Sequence, residues 1–512
     1  MLSLFSIPIL ATLLLYLLYQ YVIYPAFLSP LSKIPNAHFS APVIPWIWFK
    51  RRGGRTGFTY IHAAHKKNGS IIRIAPNELS VSSLDGIRQI YSNNFEKTDL
   101  YHEFVNFKTP NLVSMVGNKP HTDQKRMVSH VYSNSYLSSS TDLRTLSSVI
   151  LFDRLVPALK SAGDMNVDMY SLNQAIGTDF GTAYLFGISN STNLIQDLVA
   201  REHWQKNIRT KMRFLPERDK ASEEVERTAL AMCEAAEEFL RNEKQHSVLP
   251  TSSPVVYSQL SSRLADSPSP FNPSNRIATA SEMLDHTIAS QETTRIVFTY
   301  LQWELSRRPT LQHSLRAELL TLSPPLRGSM SQLSAAHRTL PSLQALDALP
   351  LLDAVLKEAL RIYTPSPAPL PRITPPEGAI IDGYTIPGRT IVGTSAYCVH
   401  RNEDVFPDAA TFKPERWLKD AKEVREMMRW YWPFASGPRM CIGNHLALYS
   451  KLSSVEGMES RAHTHIVMKI VISTIYTNFE TSIIDDQGIE QEDVFLAGPV
   501  GEKLVLRFHP VS

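Results

Sequence analysis

The stretch Phe434-Ala-Ser-Gly437-Pro-Arg439-Met-Cys441-Ile-Gly443 sets one cysteine between two glycines, with an arginine and a phenylalanine before it. Glycines let a backbone turn tightly and pass close to a bound group. If a helix begins just after the cysteine, its first amides stabilise negative charge on the sulfur. The pattern therefore predicts a thiolate with a chemical role.

The composition excludes several classes of protein. Cys233, Cys398 and Cys441 are the three cysteines, and no CxxC spacing occurs, which argues against a disulfide framework or a structural zinc site. Such sparse thiols fit a reducing compartment. The net charge is +3 and no basic run with interleaved aromatics occurs, so nucleic acid is not an expected partner.

The N-terminus predicts a membrane anchor. Met1 to Ser32 carry no charge, and Leu2 to Tyr24 are apolar over a length that crosses a bilayer. A secretory signal would have a basic start and a shorter apolar run. Cations follow the span, so the positive-inside rule puts the rest of the chain in the cytosol. We expect an anchor over 1–24, a Pro-rich linker over 25–50 and one catalytic domain over 51–512.

The rest of the chain reads as mainly α with minor β. Periodicity and punctuating prolines predict strands at Ser70–Ala75 and Glu78–Val81, long helices at Ala278–Arg308 and Leu349–Tyr363, short strands over Pro371–Thr394, and a small sheet over Phe479–Phe508. The Ser- and Pro-rich stretch Pro250–Pro273 predicts a surface loop.

Further motifs precede the cysteine stretch in a fixed order. They are Lys119-Pro-His121-Thr-Asp-Gln-Lys125-Arg126, Ala289-Ser290-Gln291-Glu292-Thr293-Thr294, Glu358-Ala-Leu-Arg361 and Phe412-Lys-Pro414-Glu415-Arg416-Trp417. One helical turn puts Glu358 and Arg361 on the same face. Taken alone, each motif has an ordinary interpretation as a polar or charged helix face.

Together these motifs resemble those of the cytochrome P450 family over nearly the whole chain. The cysteine stretch fills every position of the haem-binding signature FxxGxRxCxG of that family. The resemblance implies a cytochrome P450 fold preceded by a transmembrane helix. It also implies haem b, with the Cys441 thiolate as the axial iron ligand and electron donor.

The resemblance assigns most of the other residues to cofactor binding. Phe434 would cover the thiolate, and Gly443 would let the backbone pass close to the porphyrin. Arg439 would pair with a haem propionate. Lys125 stands where relatives carry an arginine that contacts the propionates, and Arg372 is the expected third partner.

Other residues would support the site. Glu358, Arg361 and Arg416 would form a buried ion network under the haem. Glu292 and Thr293 match the acid–alcohol pair that relays protons for oxygen activation. Ser290 departs from the family pattern, which has glycine there, and its hydroxyl is expected to bond back to the helix.

The helix after the cysteine departs more seriously. Relatives continue from the cysteine in one helix, but here the expected continuation stops after Tyr449 and resumes at Met468. Ser450 to Val467 are rich in serine and contain Gly457, which disfavours helix. The insertion 450–467 is a tolerated surface loop, a mis-assigned coding segment, or a genuine insertion that weakens haem binding.

The implied function is that of a monooxygenase. It would oxidise a hydrophobic secondary metabolite with O2 and electrons from NADPH–cytochrome P450 reductase in the endoplasmic reticulum membrane. The sequences near the anchor and at the C-terminus resemble those of fungal biosynthetic members of the family, which act on alkaloids, terpenoids or polyketides. The alternatives are a catalytically inactive relic and an oxygen-independent rearrangement enzyme. Glu292 and Thr293 argue against the latter.

Overall fold

The computed structural model describes residues 2–162, 165–213, 215–245, 253–265, 273–334, 338–447 and 466–511. It is mainly helical, with short strands in three small sheets. This agrees with the fold class expected from the sequence.

The helices of the N-terminal half are α1 (Leu2–Leu18), α2 (Trp46–Lys50), α3 (Phe58–Asn68), α4 (Leu84–Ile87), α5 (Asn118–Val128), α6 (Asn134–Ser139), α7 (Thr141–Val149), α8 (Val156–Ala162), α9 (Met169–Phe186), α10 (Leu198–Met212) and α11 (Arg218–Gln245). Those of the C-terminal half are α12 (Val255–Ala265), α13 (Pro273–Ser306), α14 (Pro309–Leu319), α15 (Leu343–Asp347), α16 (Pro350–Ile362), α17 (Ala396–Val399), α18 (Ala421–Trp430), α19 (Asn444–Ala447) and α20 (Ile466–Asn478).

The strands are β1 (Ile71–Ala75), β2 (Glu78–Val81), β3 (Glu96–Lys97), β4 (Asn166–Asp168), β5 (Arg372–Ile373), β6 (Ala379–Ile381), β7 (Tyr384–Ile386), β8 (Ile391–Gly393), β9 (Phe479–Asp485) and β10 (Val505–Pro510). One sheet has the order β1-β2-β8-β5-β3, a second β4-β10-β9, and β6 pairs with β7. The predicted hairpin around Pro76-Asn77, the strands after α16 and the C-terminal sheet are thus confirmed.

Helix α13 runs through the main core and positions the site. It packs along α9, where Gly177 and Gly181 allow close approach, since a Cβ on Gly177 would lie 2.9 Å from the Cα of Gln291. Most α13 side chains are buried, but Ala289 in its middle is exposed. This face opens onto a space inside the fold.

The N-terminal helix is longer than the prolines suggest. Pro25 lies inside a π-helical segment, Tyr19–Leu28, and so does not end the helical run that starts in α1. In the described part of the chain, Pro8–Leu28 is the one helix long and apolar enough to cross a membrane. Leu31 and Ile34, just beyond it, are buried.

The prediction of a surface loop over Pro250–Pro273 is wrong for the part that the structure describes. Helix α12 lies there, and its residues Val255, Val256 and Leu260 are buried in the main core. The flanking serines and prolines are typical of a loop, so the short apolar face of this helix was not recognised. Burial of that face outweighs the weak helix propensity of the segment.

The insertion proposed at 450–467 lies almost wholly outside the described residues. Among the described residues, α19 covers Asn444–Ala447 and α20 covers Ile466–Asn478, which includes the expected Met468. These two helical segments contact each other. The described parts of the chain on both sides of the insertion therefore pack together.

Candidate active site

The cysteine loop is a tight turn stabilised by its own backbone. The Cys441 amide donates to the Phe434 carbonyl oxygen at 3.1 Å, and the Met440 amide donates to that of Gly437 at 3.0 Å. Gly437 has φ +73°, and a Cβ there would lie 2.0 Å from the Tyr91 carbonyl oxygen. No other residue type fits this position, which explains that glycine of the motif.

Cys441 differs from the other two cysteines. Cys233 and Cys398 are buried, and burial raises the pKa of each thiol to about 12. Cys441 has accessible surface. Desolvation nevertheless raises the pKa of its thiol, against the amide of Gly443 and the charge of Lys125. A thiol that is accessible yet closely surrounded by protein faces a cavity within the fold.

Four basic residues, which we call the cation cluster, lie near this loop: Lys97, Lys125, Arg372 and Arg439. Lys97 and Arg372 are register partners of the antiparallel pair β3–β5. Burial, and after it the charges of Arg372 and Arg439, lower the pKa of Lys97 to about 7. The structure thus brings together three residues predicted from the sequence and one that was not.

Neutral groups hold the cation cluster in place. Lys125 Nζ donates to the carbonyl oxygens of Pro438 and Met440 at 2.8 and 2.9 Å. Arg439 Nη1 donates to the Met115 carbonyl oxygen at 2.6 Å, and its Nε is buried without a hydrogen-bond partner. The guanidinium therefore keeps a donor for a further acceptor.

The cation cluster fits haem b. Among the described residues, no carboxylate lies within 4.0 Å of any of the four cations. Buried like charges repel one another and are stable when an anion joins them. The two propionates of haem b are such anions, and the accessible Cys441 sulfur is the donor that its iron needs.

Each charged group of the predicted ion network contacts a group of opposite charge. Glu358 accepts from Arg361 Nε at 2.9 Å and Nη2 at 2.8 Å, and from Arg416 Nε at 3.0 Å. Trp417 Nε1 and the Lys413 amide donate to the same carboxylate at 2.9 and 3.0 Å. Although burial opposes it, Arg361 holds the pKa of Glu358 below its usual range. The network joins α16 to the segment before the cysteine loop.

The acid–alcohol pair of α13 points in two directions. Thr293 lies on the same face as the exposed Ala289, and its Oγ1 donates to the Ala289 carbonyl oxygen at 2.8 Å. Glu292 is buried on the other side, where Gln174 Nε2 donates to it at 2.6 Å and Arg295 pairs with it. Burial raises the pKa of Glu292. Thr293, and not Glu292, therefore faces the cavity.

Ser290 makes the back-bond expected of it. Its Oγ donates to the Thr287 carbonyl oxygen at 2.9 Å. The same side chain faces Gly181 of α9, where a Cβ would lie 2.2 Å from Ser290 Oγ. A glycine on the neighbouring helix thus makes room for the serine that stands where the family has glycine.

Sequence reasoning missed Lys97. It lies on a strand of two residues, too short to give a periodic pattern, and its signal is the pairing with Arg372 in space. The helix face around Asp285 and Ala289 was expected to contact the substrate, but Glu282 and His286 were not singled out. With Asp285 they form a cluster of three buried residues on α13, whose ligand atoms lie within 4.8 Å of one another.

Known proteins resemble this chain over most of its length. A family model described as Cytochrome P450 matches residues 41–450. The "Cytochrome P450 monooxygenase avaI" of Aspergillus versicolor is 28% identical over 416 residues, 78% of this chain and 96% of that protein. The "Cytochrome P450 monooxygenase hepC" of Aspergillus oryzae is 26% identical over 466 residues, 83% and 86% of the two chains. A shorter match, 45% identical over 113 residues, joins 22% of the chain to 23% of the "Cytochrome P450 monooxygenase asqL" of Emericella nidulans.

Proposed function

The chain belongs to the cytochrome P450 monooxygenases, and from that premise we propose that it oxidises a hydrophobic secondary metabolite of the alkaloid, terpenoid or polyketide class. The observation that carries the proposal is the accessible Cys441 beside four cations, three of them buried and Lys125 half-buried, which have no carboxylate partner among the described residues. O2 and NADPH–cytochrome P450 reductase are the proposed co-reactant and electron donor.

In this proposal haem b is held from both its iron and its propionates. Cys441 would be the metal ligand, and Phe434 and Gly443 would shape the loop around it. Arg439, Lys125 and Arg372, together with Lys97, would bind the propionates by charge-assisted hydrogen bonds. Glu358, Arg361 and Arg416 fix the protein beneath the loop. When bound, the haem would supply the activation of O2, in which two electrons and two protons convert one oxygen atom to water while the other enters the substrate.

We assign the transfer of protons at the cavity to Thr293. Its hydroxyl lies at the cavity face of α13 and can turn from the Ala289 carbonyl to hold or pass a proton there. Glu292 lies one residue away against Arg295 and Gln174, and we assign it the supply of protons from behind the helix. The two residues remain the proposed catalytic pair, with Thr293 as the member at the cavity.

The apolar helix gives the proposed location. We propose that Pro8–Leu28 is a single-pass anchor in the endoplasmic reticulum membrane, with the catalytic domain on the cytosolic side. The domain boundaries 1–24, 25–50 and 51–512 follow from the sequence. This orientation puts the domain on the same membrane face as the reductase, and lipid contacts the exposed apolar residues of the anchor.

The test is the absorbance of the reduced, CO-bound protein. We expect full-length protein to show the red-shifted Soret band of a thiolate-ligated haem and to consume NADPH with added reductase. Cys441→Ser should lose that band. Cys398→Ala, a change at a buried thiol away from the loop, should keep it. Equal spectra for the two variants would contradict the assignment of the ligand.

The same spectrum tests the inactive alternative. If the segment 450–467 disables the site, the full chain lacks the band and a variant without that segment gains it. If the segment is tolerated, both proteins show the band. The relic then has no support.

A further inference from the structure

One face of α13 combines the cavity-facing residues with a carboxyl group. Asp285, Ala289 and Thr293 are spaced by four residues, so they lie above one another on the same side of the helix. Ala289 is exposed and Thr293 is half-buried. The charge of Asp285 also raises the pKa of the Cys441 thiol. Asp285 therefore lies on the helix face that opens toward the cysteine.

Asp285 has no cation partner in the described part of the chain. No Lys, Arg or His nitrogen lies within 4.0 Å of its carboxylate there. Burial raises the pKa of Asp285, and His286 is the first of the basic groups that oppose this, before Lys97. The Nε2 of His286 pairs with Glu282 at 3.1 Å. Lys97 Nζ donates to the Val113 carbonyl oxygen at 2.6 Å and lies over the Tyr101 ring. A buried carboxylate without a counter-ion is costly unless a cation binds to it.

The two other members of the cluster on α13, Glu282 and His286, are paired in charge. Glu282 pairs with His286 Nε2 at 3.1 Å and accepts from the Leu112 amide at 3.0 Å. Tyr132 shares a hydrogen bond of 2.8 Å with His286 Nδ1. Although burial lowers it, Glu282 raises the pKa of His286, which favours the charged pair. The unmatched charge of the cluster is that of Asp285.

We propose that Asp285 binds the protonated amine of a lipophilic, basic substrate and so sets which part of that substrate reaches the oxidation site. The proposal rests on the proposed function, since it names the substrate class of that same cavity. A charged group at the wall of a ligand cavity favours a ligand that carries the opposite charge. Among the three proposed classes this favours alkaloid amines over neutral terpenoids and polyketides.

A pair of probes of equal shape tests the charge alone. Benzyltrimethylammonium and neopentylbenzene differ in a quaternary nitrogen against a quaternary carbon, and neither can ligate iron. Binding to the full-length holoenzyme is measured by calorimetry, and closeness to the haem by paramagnetic relaxation of the probe protons. We expect the cation to bind at least about 30-fold more tightly than the neutral probe, as for a buried charge pair.

Variants at Asp285 identify the residue responsible. Asp285→Asn should abolish the preference and leave the affinity for neopentylbenzene unchanged, whereas Asp285→Glu should keep most of the preference. A wild-type protein without preference, or an Asn variant that retains it, overturns the proposal. If Asp285→Asn fails to fold, the wild-type comparison still decides. A protein that binds no haem shows no paramagnetic relaxation, and this result contradicts the proposed function. The calorimetric comparison of the two probes still tests the preference for the cation.

Discussion

The ion network and the cation cluster are two sets of charged side chains in this fold, and they differ in whether their charges have partners of opposite sign. In the ion network, Glu358 is surrounded by Arg361 and Arg416, and every charge has a partner. In the cation cluster, positive charges meet carbonyl oxygens and one another, with no carboxylate within 4.0 Å in the described residues. A matched group needs no further partner and is costly to break, whereas an unmatched group becomes more stable when a ligand of opposite charge binds to it.

The largest effect is expected from breaking the matched group. Glu358→Gln keeps the shape but leaves two buried guanidinium groups without a counter-charge. We expect the free energy of unfolding, measured with urea, to fall by about 3–5 kcal/mol. That is a large part of the total stability of a typical domain.

Its control is a carboxylate paired at the surface. Glu426 contacts Arg429 at 2.8 Å with both side chains half exposed. Glu426→Gln should cost less than about 1 kcal/mol. Equal losses for the two variants would mean that burial of the network does not determine its contribution.

Breaking the unmatched group should affect the cofactor instead. Lys97→Met removes one buried cation and its repulsion of Arg372 and Arg439. We expect haem to dissociate at least about tenfold faster, because hydrogen bonds between charged groups contribute about 1.5–3 kcal/mol. The urea stability of the haem-free protein should not fall. Lys119→Met, at an exposed lysine paired with Asp123, should change neither quantity. A loss of stability in the haem-free Lys97 variant would instead make Lys97 a structural residue.

The contrast also explains what the sequence predicted well. The turn at the cysteine, the i,i+3 pair of Glu358 with Arg361 and the long helix follow from local spacing, whereas the part of Arg416 in the ion network came from the family resemblance. The pairing of Lys97 with Arg372 and the meeting of Glu282 with Gln124 and the Leu112 amide depend on distant segments, which spacing along the chain does not encode. Helix α12 was missed because its buried face is short and its neighbours resemble a loop.

The contact between α9 and α13 allows a test of compensation near the site. Gly181→Ala would put a Cβ 2.2 Å from Ser290 Oγ, so we expect a loss of about 1–3 kcal/mol in urea stability. Adding Ser290→Gly should restore most of it. Gly177→Ala is the control, because its Cβ meets the backbone of Gln291 at 2.9 Å and the serine change cannot relieve it. Rescue of both alanine variants would mean that the helices simply move apart.

The smallest effect concerns Asp285. Burial, and after it the charge of Glu282, raise the pKa of Asp285 to about 7, while His286 and Lys97 oppose this. The carboxyl group is therefore mostly protonated at about pH 6 and mostly ionised at about pH 8, and affinity for benzyltrimethylammonium should rise about tenfold over that range, or about 1.4 kcal/mol. The probe does not titrate, so the slope belongs to the protein. Lys97 and His286 also lose positive charge as the pH rises. The pH dependence of the affinity in the Asp285→Asn variant measures the contribution of these two residues. If the slope persists in that variant, the cation responds to those two bases, and the unmatched carboxylate is not the group that selects it.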